Sequence, residues 1–309
     1  MITTVTLNPA VDKTYHVNGL RCGHVNKACK IHITAGAKGI NVSRVLNALN
    51  AQSTALGFAG GHVGKLLVDL LTKEKVLFDY ISTTEETRLN AKILDLQTNE
   101  FTEINECGGA VTEAEFSALL ERLEEYLPKS PYIVLGGSIP VGMKEDVYYH
   151  IIKRISSSKT YLDCGGKLLF EAVKAAPYFV KPNLEEFGEM IQKDCQTLEQ
   201  AALYADQVTK MGVNTLVITD GDKGAIAIRG GKVYEILVPH VEAKSTVGAG
   251  DSFLGGFVYG ESCGADFITC LKMAASCSVA KVTCDSSIVP DRKHLLAYTD
   301  QVRVRQLRS

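Results

Sequence analysis

Residues 246–257 carry the strongest chemical pattern in this chain: Thr246, Val247, Gly248, Ala249, Gly250, Asp251, Ser252 and Phe253, then Leu254, Gly255, Gly256 and Phe257. The order suits a loop that feeds the N-terminus of a helix. Gly248, Ala249 and Gly250 have almost no side chain, so a phosphate can approach their backbone closely. Unpaired N–H groups and the positive end of the helix dipole attract an anion at such a place. Asp251 has the wrong sign for an anion ligand, but as a base beside a reacting phosphoryl group it makes chemical sense. A helix capped by an aspartate fits the same residues equally well.

Other segments carry compatible groups. Gly36, Ala37, Lys38, Gly39, Ile40 and Asn41 lead into a helical pattern. Their backbone can pass close to a ligand, with Lys38 as a cation and Asn41 as an amide for hydroxyls; a plain turn is the alternative. Arg88 and Asn90, after Thr87, suit a substrate phosphate unless Arg88 is simply a solvated surface residue. Lys181, Pro182, Asn183, Leu184, Glu185 and Glu186 follow a strand-like run. Asn183 and Glu186 have the spacing of a capping box, or they hold waters on a Mg²⁺ that bridges nucleotide phosphates. The turn from Thr219 through Gly221 to Gly224 is either a hairpin or a nucleotide-contacting loop.

Several chemistries find no support. Residues 60–66 are glycine-rich with Lys65, but Ala59 and Leu66 stand where a Walker A loop needs Gly and Ser or Thr. No GxGxxG follows the first strand, and Gly136, Gly137 and Ser138 do not form a nucleophile elbow. Cys263, Cys270, Cys277 and Cys284 recur every seven residues, as do Cys22 and Cys29. That step returns to one helix face, where thiols pack as small hydrophobes and cannot converge on one metal ion. Nine cysteines, an odd number, argue for reduced thiols. The net charge of −2 gives no nucleic-acid or membrane surface, and no apolar run is long enough to cross a bilayer. A cytoplasmic protein is expected.

These groups need a scaffold. Residues 3–7 form a β-rich opening stopped by Asn8 and Pro9, and Ile40, Val42, Val45, Leu46 and Leu49 approximate helical spacing. Strands are expected near 56–58, 132–135, 160–163, 179–181 and 214–219. Helices are expected at 39–49, 64–73, 144–155, 167–176 and 198–210. This alternation predicts βα units on a mostly parallel sheet. Residues 12–34 and 89–105 break it with short strand-like runs that lack intervening helices, which suits a small separate sheet acting as a lid. With 309 residues and no linker, the chain reads as one domain over 1–309 carrying that lid.

Together these segments resemble the ribokinase-like (PfkB) carbohydrate kinase family over essentially the whole chain. Residues 246–257 match its most specific signature, and 36–44 resemble its glycine-rich signature. Residues 6–12, Val25 to Lys27, Thr87 to Asn90, Thr102 to Asn105 and Gly137 to Pro140 are similar to its phosphosugar branch. The resemblance implies an α/β Rossmann-like three-layer sandwich with a β lid, and ATP and Mg²⁺ as cofactors. It implies Asp251 as general base and the N–H groups of Gly248, Ala249 and Gly250 as the anion hole. Asp12 and Asn41, beside Gly36 and Gly39, are then expected to hold sugar hydroxyls. Lys27, Lys38, Arg88 and Ser138, with Asn90 nearby, are expected at the phosphate already on the sugar. Lys181, Asn183, Glu186, Thr219, Gly221, Gly224 and Thr246 are expected on the nucleotide side, with Asn183 and Glu186 reaching the metal through water. Many relatives pair their lids into a homodimer. The expected acceptor is fructose 1-phosphate, with tagatose 6-phosphate or fructose 6-phosphate close behind; sugar-phosphate binding without catalysis is the rival from another class. The chain departs from the family pattern twice. Ala37 replaces a glycine, and Lys27 replaces an arginine, which keeps the charge but loses bidentate geometry.

Overall fold

A computed structural model describes residues 1–308. The chain runs through β1 (Ile2–Thr6), β2 (Ala10–Val17), β3 (Ala28–Gly36), α1 (Lys38–Ala48), β4 (Ser53–Gly60), α2 (Gly61–Lys73), β5 (Phe78–Thr83), β6 (Arg88–Asp95) and β7 (Phe101–Ile104). Next come α3 (Glu113–Tyr126), β8 (Tyr132–Gly136), α4 (Val147–Arg154), β9 (Lys159–Asp163), α5 (Gly166–Val173), β10 (Phe179–Val180), α6 (Leu184–Ile191), α7 (Leu198–Thr209) and β11 (Thr215–Thr219). The last elements are β12 (Ala225–Arg229), β13 (Lys232–Leu237), α8 (Ala249–Ser262), α9 (Phe267–Val282), α10 (Arg292–Leu295) and β14 (Arg303–Arg308).

A ten-stranded sheet in the order β14-β13-β12-β11-β10-β9-β8-β1-β4-β5 forms the middle layer. From β5 to β11 every pairing is parallel, and β12, β13 and β14 add an antiparallel edge. Its central strands are buried on both faces, so they read as continuous apolar runs such as Ile133, Val134 and Leu135. One face packs on α3 to α7 through Leu123, Ile151, Leu169, Phe187 and Ala201. The other packs on α1, α8 and α9 through Val45, Phe257 and Ala274. This is the expected three-layer α/β arrangement.

The short strands outside the βα alternation pair with one another as a four-stranded sheet, β3-β2-β6-β7. Its register sets Asp12 opposite both Thr34 and Asn90. Leu67 and Leu71 of α2 pack with Val11, Ala35 and Ile40 beneath it. The cysteine spacing marks a helix face only in part. Cys270 and Cys277 are buried in α9, whereas Cys263 follows α8 and Cys284 lies beyond α9. Helix α3 had no counterpart in the spacing argument; Thr112 and Glu115 start it with a full capping box.

Candidate active site

Ligands of an open parallel sheet bind outside the carboxyl ends of its strands. Here Asn8 follows β1, Ser138 follows β8, Asp163 ends β9, Lys181 follows β10 and Thr219 ends β11. Asp163, its carboxylate 2% exposed, pairs with Lys38 at 2.6 Å and Lys181 at 3.0 Å. Lys38 also lies 3.5 Å from Glu186. Burial works against all these charges. Lys181 and Lys38 nevertheless hold Asp163 below the usual carboxylate range, and Asp163, Glu186 and Asp251 hold the Lys38 ammonium above its ordinary pKa.

The head of α8 faces this cluster. Gly248 is its N-cap at φ 78°, a left-handed conformation that glycine adopts without strain. The Ala249 N–H is not free, because it donates to the Thr246 carbonyl at 3.2 Å. Among the described residues the N–H groups of Gly248 and Gly250 have no partner. A Cβ on Gly250 would sit 3.0 Å from Lys181 Nζ, so the turn and the ammonium touch. Asp251 does not cap the helix. Its buried carboxylate accepts instead from Asn41 Nδ2 at 2.7 Å. Burial, then the charge of Asp163, raises its pKa to about 6, against the pull of Lys38, Asn41 and Lys181.

The small sheet supplies the opposite wall. Asp12 accepts from Asn90 at 2.8 Å and pairs with Lys92 at 3.0 Å. A Cβ at Gly36 would lie 2.5 Å from that carboxyl group, so only glycine leaves room for it. Gly39 is equally confined, with Thr6 Oγ1 at 2.3 Å from its missing Cβ. Asp12, Asn41, Lys92 and Gly248 line one open cleft. Arg88 is no loose surface group; its guanidinium donates to the carbonyls of Asn8 and Glu106, and Asn8 Nδ2 reaches Ser138 Oγ at 3.2 Å. Lys27 is different: it is exposed between β2 and β3, with no polar contact to the others. Ala37 holds φ 95° and ψ 152°, a region that belongs to glycine.

A second cleft, lined by Thr219, Gly221, Gly224, Ile236, Gly250 and Phe253, opens on the far side of the α8 turn. Its mainly apolar walls suit a flat base, and Gly250 is shared with the turn at the head of α8. At Gly224, φ is 90° and a Cβ would lie 2.1 Å from the Ile236 carbonyl oxygen. Asn183 and Glu186 do form the capping box of α6, with bonds of 2.7 and 2.9 Å. That uses Glu186 Oε2 and leaves Oε1, near Lys38, as an acceptor for water. Such a donor set fits an ion that keeps its hydration, as Mg²⁺ does.

The pfkB family carbohydrate kinase model matches residues 5–293. The chain belongs to the PfkB family of carbohydrate kinases. A PfkB kinase is a phosphotransferase acting on a sugar hydroxyl, and the convergence of Asp251, Lys38 and the α8 turn is consistent with that. The 1-phosphofructokinase of Bacillus subtilis is 34% identical over 264 residues, covering 85% of this chain and 86% of that protein. The 1-phosphofructokinase of Haloferax volcanii is 32% identical over 311 residues, covering 100% of both. The structure of Escherichia coli phosphofructokinase-2 with substrates and products superposes with a TM-score of 0.90 at 23% identity, over 97% of this chain and 98% of that one; it bears on the fold alone. Among the described residues, no helix of this PfkB kinase is long and apolar enough to cross a membrane.

Asp163 and Lys92 escaped the sequence argument. The first ends a central parallel strand, and strand ends are where ligands gather. The second lies at i+4 from Arg88 and i+2 from Asn90, on the same face of β6.

Proposed function

We propose that this kinase transfers the γ-phosphoryl group of ATP to fructose 1-phosphate, giving fructose 1,6-bisphosphate and ADP. The acceptor follows the names of its relatives in Bacillus subtilis and Haloferax volcanii. The observation that carries the mechanism is the buried Asp251 carboxylate at the head of α8, beside free backbone N–H groups and two lysines.

Asp251 takes the proton of the sugar hydroxyl as that oxygen attacks. The N–H groups of Gly248 and Gly250 and the Lys181 ammonium meet the charge on the group in flight. Asp12 and Asn41 orient the sugar. Lys38, Arg88 and Ser138, joined by Lys27 if its loop closes, take the phosphate already present. The cleft from Thr219 to Phe253 takes the adenine ring. Asn183 and Glu186 would hold Mg²⁺ through water, and the ion would supply charge neutralisation for the phosphates. The small sheet is the lid over this site. Its outer face exposes Ile31, Ile33 and Ile104, an apolar surface suited to pairing with a second lid.

The test is a panel of fructose 1-phosphate, fructose 6-phosphate and tagatose 6-phosphate with ATP and Mg²⁺. The highest kcat/KM is expected for fructose 1-phosphate. Faster turnover of either 6-phosphate reassigns the acceptor, and binding without turnover by any of them supports the non-catalytic alternative.

A further inference from the structure

Lys281 is a buried cation outside the Asp163–Lys38–Lys181 cluster. It lies in the last turn of α9 and is 4% exposed. Its Nζ donates to the carbonyls of Asp285 at 3.2 Å and Ser286 at 3.0 Å. An ammonium has three N–H groups, and no acceptor among the described residues takes the third. Its stem lies against the head of α8: a Cβ on Gly248 would meet Lys281 Cε at 3.3 Å. Lys281 also lines the cleft that Asp12, Asn41 and Gly248 line.

The surrounding charges come from three elements. Arg44 of α1 donates to the Ser287 carbonyl at 3.0 Å and pairs with Glu74. The loop after α9 brings Cys284 and Asp285, and α8 brings Asp251. Burial, then Arg44, pushes the Lys281 pKa down to about 8, while Cys284, Asp251 and Asp285 pull it up. Two cations therefore fasten the carbonyls of residues 285–287. One of them, Lys281, stands directly behind the Gly248 turn.

We propose that Lys281 is a positioning residue for phosphoryl transfer: its ammonium fixes the Gly248 turn against the 285–286 loop and adds positive potential where the transferred group gains charge. This rests on reading the turn as the phosphoryl site. Lys281 acts through Gly248, so its loss lowers kcat more than it weakens sugar binding. A mere loop clip would affect stability alone.

The first measurement is the pH profile of kcat in the unaltered kinase from about pH 6.5 to about 9.5. Activity should fall with an apparent pKa near 8 as the ammonium loses its proton. Unfolding does not explain such a fall. Between about 8 and the ordinary lysine value the unfolded chain binds the extra proton, so this group makes the fold more stable as pH rises. A flat profile overturns the proposal. In Lys281→Met, kcat should drop about tenfold or more, with KM for the phosphosugar changed less than about threefold. Lys281→Arg should keep kcat within about threefold and lose the alkaline limb, because a guanidinium stays charged. Unchanged kcat in Lys281→Met, or an alkaline limb that persists in Lys281→Arg, defeats the idea. Asp251→Asn tests the underlying reading separately. Should it abolish transfer while Lys281→Met does not, only the present inference falls.

Discussion

Asn41 Nδ2 and Asp251 Oδ2 are hydrogen-bonded at 2.7 Å, although 210 positions separate them in the chain. The contact joins the first turn of α1 to the first turn of α8. It depends on close helix packing: a Cβ on Gly255 would lie 2.8 Å from Val45 Cγ1. An amide that donates to a carboxylate favours the ionised form. Asn41 thus offsets part of the burial that pushes Asp251 upward, and the carboxylate is left poised between acid and base near neutrality.

Asp251→Asn should lower kcat by about three orders of magnitude while changing KM for the phosphosugar little. Stability should move the other way. Folding raises the Asp251 pKa, so at neutral pH the native state carries a buried charge it disfavours, and removing that charge should raise Tm. Steady-state kinetics and thermal unfolding at pH 7.5 check the two outcomes, and wild-type kcat/KM should climb as pH rises through about 6.

Asn41→Leu removes the amide from Asp251. The carboxylate then loses a group that favours its charge, and the acid limb of the kcat profile should move to higher pH. KM for the sugar should rise as well. An acid limb unchanged from wild type would mean that Asp251 is not the group titrating there.

Ala37→Gly should stabilise the fold. At φ 95° and ψ 152° the alanine stores strain that glycine lacks, and the extra entropy of an unfolded glycine offsets part of the gain. The net is about 1 kcal/mol, or about 2 °C in Tm. Differential scanning calorimetry measures it directly. A lower Tm would mean that the surroundings of this residue, not its own conformation, set its cost.

Asp163→Asn leaves Lys181 buried without its counter-charge and frees Lys38 from its shortest partner. Breaking a buried pair in this way costs about 3 kcal/mol. Tm should fall by roughly 6 °C. Activity should fall too, because both lysines border the proposed phosphoryl site. The wild-type linkage has a definite sign. Asp163 has a lowered pKa, so its contribution is present above the ordinary aspartate range and is lost on acidification through the lowered value.

The sequence by itself determined the layered α/β scaffold, because strand-length apolar runs alternating with helical spacing bury both faces of a parallel sheet in only a few ways. It also singled out 246–251 as a candidate for chemistry, because small residues before a carboxylate form a local pattern. The strands outside the alternation were visible too, although their pairing partners were not. Local spacing is silent about contacts between distant segments. Only the tertiary structure decided that Gly248, rather than Asp251, caps α8, that the Ala249 N–H is spent on Thr246, and that Asp163 sits between Lys38 and Lys181. It alone set Lys281 behind the Gly248 turn and placed Lys27 on an exposed loop apart from the other cations. The physical reason is the same in each case. A side chain's charge state and direction follow from what packs against it, and those neighbours come from strands and helices that meet only when the sheet closes.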